Sequence, residues 1–223
     1  MEFLPKIDVS KEKIVKHFGY NSCPPWKVEE TIEKMLNIVK DLLSPRGVYV
    51  VKRIVSFSGE SILIEDRITF NTVRIGHYLT CCDRIVVYLV TIGGDLEEEV
   101  TKLMRKGDFL SGLILDAIGS EATERAADSL QELLKSSQKE RRGVTSFRFS
   151  PGYCDWRLRD QVSIFKALGS LSLNSGVKLT KNYMMIPRKS TSGIMGLGDA
   201  ETIANQPTPC QLCPEKDYCT DRR

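Results

Sequence analysis

Arg148-Phe-Ser-Pro-Gly-Tyr153 is the stretch best suited to chemistry. It sets a planar cation beside a Pro-Gly turn that leaves little side chain in the way. A guanidinium forks onto a carboxylate, and glycine lets another molecule approach the backbone closely. Leu179-Thr-Lys-Asn-Tyr-Met-Met-Ile-Pro-Arg-Lys-Ser-Thr-Ser-Gly193 follows. It is an apolar stretch running into a small, hydroxyl-rich loop. A third group is Cys210, Cys213 and Cys219, in C-x2-C-x5-C spacing. C-x2-C lets two thiolates hold one metal from a tight turn. Three cysteines need a fourth ligand or leave an open site. Cys154 is the first candidate for that ligand, with Cys81, Cys82 and Cys23 as others. The alternatives for this group are a structural zinc, an iron–sulfur cluster or a tail of reactive thiols.

Other chemistries lack support. The two histidines, His17 and His77, stand in no catalytic pattern, and there is no Gly-x-Ser-x-Gly elbow, phosphate-binding loop or His-Glu-x-x-His. Net charge is +3, with basic residues scattered rather than striped, which argues against nucleic acid. No run of about 18 apolar residues would span a membrane. The N-terminus does not read as a signal peptide, so the expected location is cytoplasmic. Seven cysteines in a reducing compartment are read as core thiols or metal ligands.

The elements that must position these residues follow from periodicity. Residues 8–20 read as a short helix capped by Ser10 and stopped by Gly19. Apolar positions from Val28 to Leu43 mark a second helical face. Val48–Phe57, Ile62–Ile64, Ile68–Phe70 and Arg84–Thr91 read as strands, the last as a buried central one. Thr72 opens a short helix through Leu79, and Cys81-Cys82 after it reads as buried core. Asp95 with Glu98 suggests a capping box. A longer helix starts at Asp108 and is expected to break near Gly119. Val144–Phe149 alternates as a strand, Arg157–Leu168 is helical, and Lys178–Ile186 and Ser192–Gly196 are the last strands, with Met184 and Met185 expected in the core. Lys139–Gly143 is a solvated connector. The resulting class is α+β, a mostly antiparallel twisted sheet flanked by helices. Three parts are expected: a helical segment over 1–45, a ligand-binding core over 46–198 and a cysteine-containing tail over 199–223.

Taken together, Arg148–Tyr153 and Leu179–Gly193 resemble the activation domain of cobalamin-dependent methionine synthase. The first run is similar to that family's Arg-Pro-Ala-Pro-Gly-Tyr motif. The second is similar to its Leu-Thr-Glu-Ser, Met-x-Pro and Ser-x-Ser-Gly pattern. Ala117-Ile-Gly-Ser-Glu-Ala-Thr-Glu124 matches the helix that donates a glutamate to the ligand, and the matching region spans about 70 to 197. The resemblance implies a site for S-adenosylmethionine. Arg148 would hold its carboxylate, Glu124 a cationic or N–H part, Ser150 and Gly152 would offer backbone groups, and Tyr153 would lie against ligand or corrin.

It further implies a methyltransferase component that returns cob(II)alamin to methylcobalamin with an electron from flavodoxin or ferredoxin. The chain positions the reactants, and no side chain need serve as a catalytic acid or base. The partner would be a cobalamin-binding methionine synthase. A second reading is an activator of another corrinoid protein, with a redox metal centre in the tail. A third is a non-catalytic interaction module. The folate, homocysteine and cobalamin modules have no counterpart here, so a stand-alone subunit is expected. Cys154-Asp-Trp156 departs from the family's Pro-x-Cys-Pro, and the cysteine tail stands where the family continues with a strand and helix that carry a tyrosine near the ligand.

Overall fold

The computed structural model describes residues 1–137, 143–206, 208, 217 and 218. The chain divides into two interleaved units. One comprises Met1–Val48, Leu89–Leu130 and Ser170–Thr191; the other comprises Tyr49–Tyr88, Gln131–Gly169 and Ser192–Arg223.

In the first unit, α1 (Lys11–His17) begins at Ser10, whose hydroxyl accepts from the Lys13 N–H at 3.4 Å, as expected of a cap. Gly19 ends it at φ +80°, where a Cβ would be strained. Helix α2 (Trp26–Val39) starts just after Pro24-Pro25 and buries Ile32, Met35 and Val39. Lys11 bridges the two helices through Glu29 and Glu33, at 2.8 and 2.6 Å.

Two helix expectations need correction. Helix α4 (Asp95–Arg105) takes Gly94 as its N-cap, with no side-chain cap, so Asp95 and Glu98 form no capping box. Asp95, Glu97 and Glu98 instead place negative charge in the first turn, against the helix dipole. Helix α5 (Phe109–Ser137) runs unbroken through Gly119. A Cβ at Gly119 would stand 2.7 Å from Leu96 Cδ2 and 3.2 Å from Lys189 Cε. The glycine there makes room for a close contact rather than a break.

The segment expected as one strand over Lys178–Ile186 is a tight hairpin of β7 (Lys178–Leu179) and β8 (Met185–Ile186), paired antiparallel. The Thr180 N–H donates to the Met184 carbonyl at 2.8 Å across the turn. Met184 is 52% exposed, against the expectation of a core position; its run of apolar neighbours belongs to a hairpin too short to bury both faces. Helix α7 (Ser170–Asn174) was not legible from periodicity, being barely longer than one turn.

The sheet runs in the order β4-β3-β2-β5-β9-β6, with β1 (Glu2–Phe3) on β2 (Arg46–Ser58). β2, β3 (Ser61–Ile64) and β4 (Ile68–Phe70) form an antiparallel meander, and β6 (Gly143–Thr145) pairs antiparallel with β9 (Ser190–Asp199). β5 (Cys82–Thr91) is buried from Ile85 to Thr91, as a central strand requires. The expected strand over Val144–Phe149 keeps its ladder only through Thr145 and resumes as a single bridge, Phe149 to Ile194.

In the second unit, α3 (Arg74–Leu79), α6 (Gln161–Leu168) and α8 (Ala200–Ala204) complete the framework. Cys82 is buried under β9: a Cβ at Gly196 would come 2.4 Å from its Sγ. Burial, then the neighbouring Cys81, push the Cys82 thiol up to about 12. Cys81 is half-buried rather than in the core. The expected connector over 139–142 and the tail cysteines lie outside the described residues.

Candidate functional site

Arg148 sits half-buried on the extended segment between β6 and the Phe149–Ile194 bridge. The bridge is reciprocal. The Phe149 N–H donates to the Ile194 carbonyl at 3.0 Å, and the Ile194 N–H returns to Phe149 at 2.8 Å. Gly193 makes this approach possible. A Cβ there would lie 2.1 Å from the Phe149 carbonyl oxygen and 3.0 Å from Ser150 Oγ, so any side chain would force the strands apart. The glycine of the Ser-Thr-Ser-Gly193 loop thus packs on the Arg148–Tyr153 run. Gly193 and Phe149, 44 residues apart in sequence, thus bring the two motifs together at one backbone contact.

Ser150 to Tyr153 is a tight turn closed by the Tyr153 N–H on the Ser150 carbonyl at 3.3 Å. Pro151 occupies the first central position and Gly152 the second, at φ +101°. This is the type II arrangement, in which Pro fixes one angle and Gly takes the left-handed one. The chain then recloses: the Gly152 N–H donates to the Trp156 carbonyl at 2.7 Å, and the Trp156 N–H to the Tyr153 carbonyl at 3.0 Å. Gly152 therefore has its carbonyl, not its N–H, for an incoming group. A Cβ on it would meet nothing nearer than Leu158 Cδ1 at 3.5 Å, so its approach side is open. Tyr153 is 70% exposed and presents its ring outward.

Two carboxylates hold this turn from behind. Asp155 accepts from the Val73 N–H at 2.6 Å, the Thr72 hydroxyl at 2.9 Å and the Arg74 N–H at 3.2 Å. Burial alone would raise its pKa, but the Val73, Thr72 and Arg74 donors outweigh it and the net direction is down. Asp160 accepts from the Asn71 N–H at 2.9 Å and from the Trp156 indole N–H at 3.0 Å. Trp156 is 1% exposed and meets Phe70 edge-on, with ring centroids 5.4 Å apart. Ser192 donates to Gln161 at 2.6 Å and ties β9 to α6. Sequence reading missed Asp155, Asp160 and Gln161 as supports, because their partners Thr72 to Arg74, Asn71 and Ser192 lie 31 to 89 residues away. A cleft of about 440 Å³ is lined by Asn71 to Val73, Asp155, Arg157 and Arg159 among others, and none of Arg148, Ser150, Gly152 and Tyr153 lines it.

Glu124 lies in the first unit, half-buried on α5. The same helix is fastened to the Leu179–Gly193 stretch by Lys189. Its ammonium lies 2.9 Å from the Asp116 carboxylate and donates to the Asp116 carbonyl and to Ser120 at 2.9 and 2.8 Å. Glu97 accepts from the Lys189 backbone N–H at 2.7 Å, and Arg188 reaches the same carboxylate at 3.4 Å. Lys189 was not singled out from the sequence; it orders the helix that carries Glu124. The structure brings Arg148, Ser150, Gly152 and Tyr153 together on one turn and places Glu124 on a well-anchored helix of the other unit.

Arg148 suits a carboxylate, the Gly152 carbonyl an N–H donor, and the exposed Tyr153 ring a flat or apolar surface. No curated protein matches the chain in sequence. Among solved structures, the crystal structure of the MetH reactivation domain bound to AdoHcy superposes with a TM-score of 0.67 at 16% identity. The match covers 93% of this chain and 79% of that one, and shows a shared fold. The sequence model described as vitamin B12 dependent methionine synthase, activation domain, matches residues 75–202, which hold Glu124, both motifs and the Gly193 contact between them. The chain belongs to that activation-domain family.

Proposed function

We propose that the chain binds S-adenosylmethionine at the Arg148–Tyr153 turn and presents its sulfonium methyl to the cobalt of a cobalamin-binding partner. The observation that carries this reading is the contact of Gly193 with Phe149 and Ser150, which fixes the two family motifs against each other. The AdoHcy held by the structurally similar domain supports the choice of ligand, since it is the demethylated form of the same molecule.

Each residue then has a definite task. Arg148 forks onto the ligand carboxylate, and its half-buried position strengthens that bond over one made in open water. Gly152 offers its carbonyl from a turn that Asp155 and Trp156 hold by hydrogen bonds. Tyr153 lays its exposed ring against the ligand or the corrin face. Cobalamin, held by the partner, supplies the methyl acceptor, and an electron from flavodoxin or ferredoxin accompanies the transfer. The chain's share is positioning and exclusion of water, so no general acid or base is required.

Titration calorimetry tests the reading. Wild-type chain is expected to take up one equivalent of S-adenosylmethionine, and the Arg148→Ala variant to bind it far more weakly. Absence of binding both alone and with a corrinoid partner would refute the proposal.

A further inference from the structure

The segment that leaves the Ser150–Tyr153 turn alternates. Trp156 and Asp160 are buried, and Leu158 faces back toward Gly152, where an added Cβ would meet Leu158 Cδ1 at 3.5 Å. The residues between them, Asp155, Arg157 and Arg159, line the cleft of about 440 Å³. Arg157 is extended, at φ −67° and ψ 141°, and a single 3-10 turn over Leu158–Asp160 follows it. The turn between β2 and β3 adds Ser58, Glu60 and Ser61 to the lining, and the start of α3 adds Val73. All of these residues belong to the second unit.

The charges in this cleft are unevenly satisfied. Asp155 takes the Thr72 hydroxyl and the Val73 and Arg74 N–H groups, while Asp160 takes the Asn71 N–H and the Trp156 indole. Both carboxylates are thus spent on the framework. Among the described residues, neither the Arg157 nor the Arg159 side chain has a hydrogen bond or an ion pair. Two guanidiniums without a counter-ion of their own set up a field that a concave wall concentrates. Their N–H forks match the oxygens of a phosphate. The Ser58 and Ser61 hydroxyls lie 2.7 Å apart, and their mutual bond uses only one of the two protons. The other is free for a ligand oxygen. Glu60 is exposed on the β2–β3 turn, where it would repel a bare anion but accept from a hydroxyl. Val73, 42% exposed, adds an apolar contact. The volume falls within the range of small-molecule sites, about 300 to 1,000 Å³.

We infer that this cleft is a second ligand site, for the phosphate ester of a sugar or nucleoside. Arg157 and Arg159 hold the phosphate, and a hydroxyl of the Ser58–Ser61 pair adds a donor. Glu60 accepts from a ligand hydroxyl, which selects the ester over free phosphate. None of Arg148, Ser150, Gly152 and Tyr153 lines the cleft, so the site does not rest on the S-adenosylmethionine reading.

Calorimetry on the full chain at low salt, with ribose 5-phosphate, inorganic phosphate and ribose as titrants, tests the site. One equivalent of ribose 5-phosphate is expected, held roughly tenfold more tightly than inorganic phosphate, with no uptake of ribose. The Arg157→Gln/Arg159→Gln protein should bind the ester about tenfold or more weakly, and Arg159→Lys should lose less because it keeps the charge. Glu60→Ala should abolish the preference for the ester over inorganic phosphate. All three side chains are exposed, so the variants should keep the circular dichroism and thermal unfolding of wild type. S-adenosylmethionine should bind the double variant as it binds wild type, so failure of either site is read separately from the other. No uptake of ribose 5-phosphate, equal uptake by wild type and the double variant, or a Glu60→Ala protein that still prefers the ester would each overturn the assignment.

Discussion

Arg148 and Gly193 are the residues on which the proposed site turns, and they do so for opposite reasons. Arg148 contributes a fork of donors. Truncation to Ala should weaken S-adenosylmethionine binding by roughly ten- to a hundredfold, the effect of losing a charge-assisted bond. Arg148→Lys should recover only part of this, because an ammonium cannot engage both carboxylate oxygens in one plane; calorimetry on the three proteins would check the order. Gly193 contributes an absence. Its replacement by Ala puts a carbon where the Phe149 carbonyl stands and should cost about 2 kcal/mol or more of stability, read from urea unfolding. A Gly193→Ala protein as stable as wild type would mean that the two motifs are not in contact as described. Sequence made the Pro-Gly turn legible because those residues have few conformations to choose from. It could not show that Gly193 faces Phe149, since that depends on pairing across 44 residues.

Among the elements, α3 matters through its first turn. Asp155 accepts from Thr72, Val73 and Arg74, and so locks the Ser150–Tyr153 turn to the helix start. Its pKa is depressed in the folded state, so its contribution is present above the unfolded value of about 3.9 and is lost as pH falls through the folded one. Acid unfolding of wild type should therefore steepen below about pH 4, and Asp155→Asn should flatten that limb while lowering stability near neutrality by about 1 to 2 kcal/mol. Circular dichroism across pH 2.5 to 7 on both proteins would decide. An acid limb identical in the variant would remove Asp155 from this role. The helices themselves were readable from apolar spacing, as α1 and α2 illustrate. Gly119 was not, because a mid-helix glycine signals weakness in sequence and close packing in three dimensions, and sequence carries no record of Leu96 and Lys189 beside it. The hairpin at Lys178–Ile186 escaped for a related reason: strands of two residues leave no period to detect.

For the molecule as a whole, ligand binding and folding are linked. If the chain binds S-adenosylmethionine when folded and not when unfolded, ligand at a hundred times its Kd adds about 2.7 kcal/mol to stability. For a chain of this length that corresponds to a rise in Tm of roughly 5 to 10 °C in scanning calorimetry. The shift should shrink strongly in Arg148→Ala, and a Tm insensitive to ligand in both proteins would contradict the proposed site. The α+β class was evident from alternating periods of two and 3.6 residues. The strand order was not, because β9 enters beside β5 after about a hundred intervening residues.

The chain has two tryptophans, and their settings differ completely: Trp26 is 75% exposed, whereas Trp156 is 1% exposed and follows closely on the Ser150–Tyr153 turn. Its indole N–H is held by Asp160 and its backbone is bonded to Tyr153 and Gly152. Nature has thus placed a fluorophore inside the hinge of the proposed grip. A Trp26→Phe protein would emit from Trp156 alone, at the short wavelengths of a dry site. Any ligand that moves the turn would announce itself in that single signal, without label or partner protein.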